Sequence, residues 1–272
     1  MPDMSVLLPM AAMLLAIGAF AGVIAGLLGV GGGIILVPAF FFAFSALGYG
    51  GAQLMQLCLA TSLATIVVTS IRSVLGHNRK GAVDWAILRG WAPGIAAGAI
   101  LGVLAVARLR TPALQASFGV LALIVAFYLG FGRARWRLGP VMPVGGLRAA
   151  LSPLVGFLSV LMGIGGGSFG VPLMSLFGVP IHRAVATAAG FGVIIAVPSV
   201  AVFLTTPVSP APPYTLGSVN LPAFALVIAM TLITTPIGVR LAHATDAAPL
   251  KRIFAAFLAI VALNMLRKAL GW

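Results

Sequence analysis

The chain has 272 residues, 61% of them hydrophobic and 7% charged, with a formal net charge of +13. That balance leaves too little polar surface to cover a soluble domain and excludes one. Apolar runs of about 20 residues recur, each long enough to cross a bilayer, so the chain reads as an all-α polytopic membrane protein. The basic excess falls in short stretches between those runs, where membrane topology explains it better than a nucleic-acid partner would.

The first segment, 5–29, follows a single early charge, Asp3, and is too long for the apolar region of a signal peptide. Gly18, Gly22 and Gly26 recur every four residues along it, which predicts a helix contact face. It runs into a glycine-rich break, Gly26-Leu27-Leu28-Gly29-Val30-Gly31-Gly32-Gly33, with Pro38 beyond. The next segment, 34–48, is short for a full span, as half of a broken helix or one arm of a re-entrant hairpin would be. Segment 53–71 carries Cys58, a small packing residue, and the hydroxyls of Thr61, Ser62 and Thr65. A basic loop with Arg72, His77, Arg79 and Lys80 leads to segment 86–107, whose Gly90, Gly94, Gly98 and Gly102 predict a second contact face. Segment 112–131 completes the first half. Residues 132–149, with Arg133, Arg135, Trp136, Arg137 and Gly139-Pro140, read as an interfacial linker.

The second half repeats the first. Segment 150–163 ends in Leu161-Met162-Gly163-Ile164-Gly165-Gly166-Gly167, and Pro172 again follows five residues later. Segment 168–179 is short, and His182 and Arg183 precede segment 184–205. The uncharged stretch Thr206–Ser218, rich in proline, leads to segments 219–242 and 250–268. Gln56–Thr61 aligns with His182–Thr187, Val83-Asp84 with Val219-Asn220, and Gly102 with Gly238. The expected organisation is a first membrane repeat at 1–131, the linker at 132–149 and a second repeat at 150–272. Five segments per repeat place the copies in opposite orientations. With the Arg72–Lys80 loop inside, the linker, the His182-Arg183 loop and the loop bearing Arg240, Lys251 and Arg252 also fall inside. Arg108, Arg110, Arg267 and Lys268 are the exceptions outside. The two breaks then approach from opposite faces and meet near the midplane.

Gly and Pro break helices, and backbone freed within a bilayer must find partners or line a cavity. Paired breaks of this kind point to a transporter's ligand site. Consecutive glycine amides, followed by a helix N-terminus, attract an anion without a charged side chain. The expected ligand set is therefore Gly29, Gly31, Gly32 and Gly33 from the first break, and Gly163, Gly165, Gly166, Gly167 and Ser168 from the second. Thr61, Ser62 and Thr187 stand ready as further donors. The acids are Asp3, Asp84 and Asp246, all near segment ends, which argues against a carboxylate cation site. One cysteine excludes a cysteine metal cluster, and no metal or cofactor is called for. Gly166-Gly167-Ser168-Phe169-Gly170 fits the nucleophile-elbow pattern, but its apolar helical setting lacks the strand-to-helix turn. His77, His182 and His243 fall in predicted loops, away from Ser168.

Gly22–Gly33 with Val37-Pro38, its repeat at Gly163–Pro172 and the Ala-Thr of the following segments resemble the sulfite exporter TauE/SafE family of permeases. The resemblance covers nearly the whole chain. It implies a transporter of the bacterial inner membrane that exports a small sulfur-containing anion, sulfite or an organosulfonate such as sulfoacetate. Alternating access of the two repeats is the expected mechanism. A passive anion channel or a membrane subunit of a larger assembly is the alternative, and a channel would need a continuous polar stripe, which the sequence does not display. Beyond that anion and the lipid bilayer the sequence names no partner, and its glycine faces serve contacts within one chain or between copies.

Overall fold

The computed structural model describes residues 4–28, 32–132, 136–244 and 247–271. Among them it holds ten helices: α1 (Met4–Leu28), α2 (Gly33–Ala46), α3 (Leu54–Asn78), α4 (Trp85–Arg108), α5 (Thr111–Phe131), α6 (Gly145–Leu161), α7 (Gly167–Leu176), α8 (Ile181–Leu204), α9 (Leu221–Ala244) and α10 (Ala247–Ala269). Five of these, α3, α4, α5, α8 and most of α9, are long and apolar enough to cross a membrane. At 1.5 Å per residue α2 and α7 reach only about 21 and 15 Å, short of a hydrocarbon core of about 30 Å.

Four local expectations are corrected. Helix α3 continues through Arg72 and His77 to Asn78, so these residues are helical rather than in a loop. Its C-terminal turn carries polar residues on exposed faces, which a hydropathy reading takes for an interruption. His182 opens α8, and His243 lies in the last turn of α9. Helix α6 starts at Gly145, inside the predicted linker. Within the stretch preceding α9, where no strand was expected, β1 (Thr215–Leu216) and β2 (Val219–Asn220) pair antiparallel across a turn at Gly217.

Side-chain caps set two helix starts. The Asp84 carboxylate accepts from Ala86 N and Ile87 N, both at 3.1 Å, at the head of α4. Asn220 Oδ1 accepts from Ala223 N at 3.0 Å at the head of α9. Both glycine rows are packing faces within the chain. A β-carbon at Gly22 would press on Thr231 and Thr234 of α9, and one at Gly98 on the Pro153 backbone of α6. The reverse contacts also lack room, at Gly238 against Val23 and at Gly156 against Ile95 and Ala99. Small residues thus let the backbones approach closely.

The principal helix pairs are α1 with α9, α4 with α6, α5 with α10, and α3 with α8. Exchanging α1–α5 with α6–α10 leaves this set unchanged. Helix α3 is the most buried of the candidate spans. At one end of the bundle Arg183 lies 3.7 Å from Asp84, Arg148 faces Gly90, and Leu138 N donates to Leu176 O. At the other end Ser209 N donates to Gln53 Oε1, Thr111 Oγ1 donates to Gly51 O, and the Lys268 ammonium sits 4.4 Å from the Phe42 ring. Arg79, Lys80, Arg137, Arg148 and Arg183 therefore share an end with each other, and the proline-rich connection shares the opposite one with Arg108 and Arg110.

Candidate functional site

Helix α6 ends with two tightening bonds, Ile164 N to Ser159 O and Gly163 N to Val160 O, both at 2.9 Å. Gly163 takes φ +60°, the left-handed position that this C-cap requires and glycine fills without strain. Its carbonyl then accepts from Ser62 Oγ at 2.8 Å. The head of α2 comes to the same place: a β-carbon on Gly33 would stand 2.8 Å from Ile66 Cδ1 and 2.9 Å from Ile164 Cα. A β-carbon on Gly163 would stand 2.7 Å from both Leu59 and Val37 side chains. The two breaks thus touch each other against the middle of α3. Gly32, with φ +73°, lies on Ala21 and Ala25 of α1. Gly29 and Gly31 are outside the described residues.

Beyond the second break α7 begins. Its first amides have no carbonyl one turn earlier to bond, and they carry the positive end of the helix dipole. Gly165 and Gly166 form one wall of a cavity of about 10 Å³, room for one water-sized group. Thr69, Ser70 and Ser73 of α3, Ala188 and Ala189 of α8, Thr235 of α9 and Ala25 of α1 line the rest. The Thr69 hydroxyl bonds back to Thr65 O at 3.1 Å and that of Thr235 to Thr231 O at 2.6 Å. Ser73 Oγ is buried without a hydrogen-bond partner. So is Ser168 Oγ, on the first turn of α7, where the residue is 2% exposed. Among the described residues no Lys, Arg or acid lines this cavity.

A model of the family described as sulfite exporter TauE/SafE matches residues 14–265. The chain belongs to the TauE/SafE family. It is 31% identical over 260 residues to a "Probable membrane transporter protein" of Haemophilus influenzae, covering 93% of this chain and 97% of the relative. A probable membrane transporter of Methanocaldococcus jannaschii is 25% identical over 262 residues, covering 93% and 94%. One from Bacillus subtilis is 28% identical over 194 residues, covering 64% and 71%. No solved structure matches the chain at a significant level. The family, these names and the apolar helices make the chain a multi-pass membrane transporter.

In this TauE/SafE chain the expected residues divide. Gly33, Ser62 and Gly163 meet at the junction of the breaks, and Gly165, Gly166, Gly167 and Ser168 form the cavity wall and the head of α7. Thr61 and Thr187 stand elsewhere, in matched positions. Thr61 Oγ1 accepts from Asn220 N at 3.1 Å, and Thr187 Oγ1 accepts from Asp84 N at 2.9 Å. Each ties one half of the chain to the capping residue of the other. Cys58 is fully buried, in keeping with a packing role. Sequence reasoning missed Thr69, Ser70, Ser73 and Thr235. The usable signal was the row Thr61, Thr65, Thr69 and Ser73, spaced by four along one helix. Part of this row turns back on its own helix: Thr65 bonds to Ser62 O at 2.7 Å and Thr69 to Thr65 O at 3.1 Å.

Proposed function

We propose that this membrane transporter carries a small sulfur-containing anion, sulfite or an organosulfonate, outward across a bacterial plasma membrane by alternating access of two inverted repeats. The observation that carries the reading is the buried Ser168 hydroxyl, unpartnered on the first turn of α7, in the chain just after Gly165 and Gly166 of the hydroxyl-lined cavity. A buried donor of this kind is destabilising until it finds an acceptor. An anionic oxygen entering between α3, α8, α9 and the head of α7 supplies one. The first amides of α7 and Ser73 Oγ complete the donor set, and the head of α2 meets the second break at Gly163 and Ile164.

A cavity with room for one water-sized group is too small for a sulfur oxyanion, so the walls must part for it to enter. The halves rock about the junction of Gly33 with Gly163, where close backbone contact makes a fulcrum. The exchange of helix partners between halves and the gathering of basic residues at one end support the inverted arrangement. A membrane potential negative inside drives an anion outward with about 2.3 kcal/mol per charge per 100 mV. Among the described residues the only acid is Asp84, which caps α4, so export by potential alone fits the residues present.

The test is flux from proteoliposomes loaded with sulfite, sulfoacetate, sulfate or thiosulfate, under an imposed potential or pH gradient. Protein-dependent efflux of a sulfur anion is expected. If none of the four moves under either gradient, the reading fails.

A further inference from the structure

Resting on that reading, we infer that the anionic group admitted to the cavity bears a single negative charge: a sulfonate or hydrogensulfite, not the sulfite or sulfate dianion. The ground is the charge the walls can offer. The energy lost on taking an ion out of water grows with the square of its charge, so a dianion loses about four times as much as a monoanion of equal size. Something positive must replace that hydration. Among the described residues no Lys or Arg lines the cavity wall. Arg72, the nearest in sequence, is exposed on α3.

What remains is partial charge. The head of α7 supplies about half an elementary charge. The head of α2 supplies about as much again, brought near by Gly32, which lies on Ala25 of the cavity wall. Together they balance roughly one negative charge. The hydroxyls add little beyond this. Thr69 and Thr235 already donate to their own helices, and of the other wall hydroxyls Ser73 Oγ is the one buried without a partner among the described residues. A second charged group on a substrate must lie outside the cavity.

The experiment uses the full chain in proteoliposomes at a fixed potential, with protein-free liposomes subtracted, and three probes across a range of pH. Methanesulfonate is a permanent monoanion, sulfate a permanent dianion, and sulfite changes from one to the other as pH rises. Expected are a methanesulfonate flux independent of pH, sulfate at background, and a sulfite flux at fixed total concentration that falls about tenfold per pH unit once the dianion dominates. Sulfate moving as fast as methanesulfonate overturns the inference, as does sulfite flux that stays level or rises with pH. Either result leaves sulfur-anion transport intact. If no probe moves at any pH, the transport reading itself is overturned.

Discussion

Thr61→Val removes one hydroxyl and keeps the shape of the side chain. Thr61 is fully buried, and its Oγ1 is the acceptor for Asn220 N at 3.1 Å. Asn220 is only 3% exposed, so water does not reach the orphaned amide. A buried donor left unpaired costs about 1–3 kcal/mol, and interhelical hydrogen bonds within membranes reach about 1.7 kcal/mol. A loss of about 1–2 kcal/mol follows. At roughly 2–4 °C per kcal/mol, the melting point should drop by roughly 2–8 °C. Thr187→Val should cost less, because the side chain of its partner Asp84 is 23% exposed and the site is open to water. Thermal unfolding in detergent, followed by tryptophan fluorescence, reads both, with Thr61→Ser retaining the hydroxyl as control. If Thr61→Ser melts as low as Thr61→Val, or Thr187→Val is the more damaging, the hydroxyl-to-amide tie between the halves is not what these threonines do.

Two glycines should respond oppositely to alanine. Gly98→Ala presses on the Pro153 backbone and should lower stability by about 1–3 kcal/mol, whereas Gly76→Ala, in the last turns of α3 with open space around it, should raise it by up to about 1 kcal/mol; melting curves compare them. Asp84→Ala loses the cap of α4 and the contact with Arg183, for about 1 kcal/mol, while Asp84→Asn should keep both the cap and full flux. Loss of flux in a folded Asp84→Asn protein would make Asp84 a proton carrier instead. Gly166→Val should stop transport, since its β-carbon already meets Phe191 and stands 2.9 Å from Ala188 O; near-normal flux in this variant removes the second break from the path.

Much of this architecture was legible because it is local. Apolar run length located the helices, fourfold spacing located the faces at Gly18–Gly26 and Gly90–Gly102, and Gly-x-Gly-Gly-Gly with a following proline located both breaks. Tertiary relations were not legible. The partners of Thr61 and Thr187 lie 159 and 103 residues away in the chain, and no spacing rule reaches them. Thr69, Ser70 and Ser73 become cavity residues only because the second break settles on that face of α3. Gly163 looked like part of a ligand run, yet its left-handed backbone closes α6, a distinction that depends on φ rather than on residue type. The end of α3 was misjudged because polar residues on exposed helical turns resemble a loop in hydropathy.

The role of the second break as an anion site is decided by Ser168→Ala in transport assays. Deleting a buried hydroxyl that has no partner in the protein should leave the melting point unchanged or slightly raised. A hydrogen bond to a charged group is worth about 1.5–3 kcal/mol, so the KM for the transported anion should rise roughly 10- to 150-fold. An unchanged KM in a folded Ser168→Ala protein would contradict the placement of the anion at the head of α7.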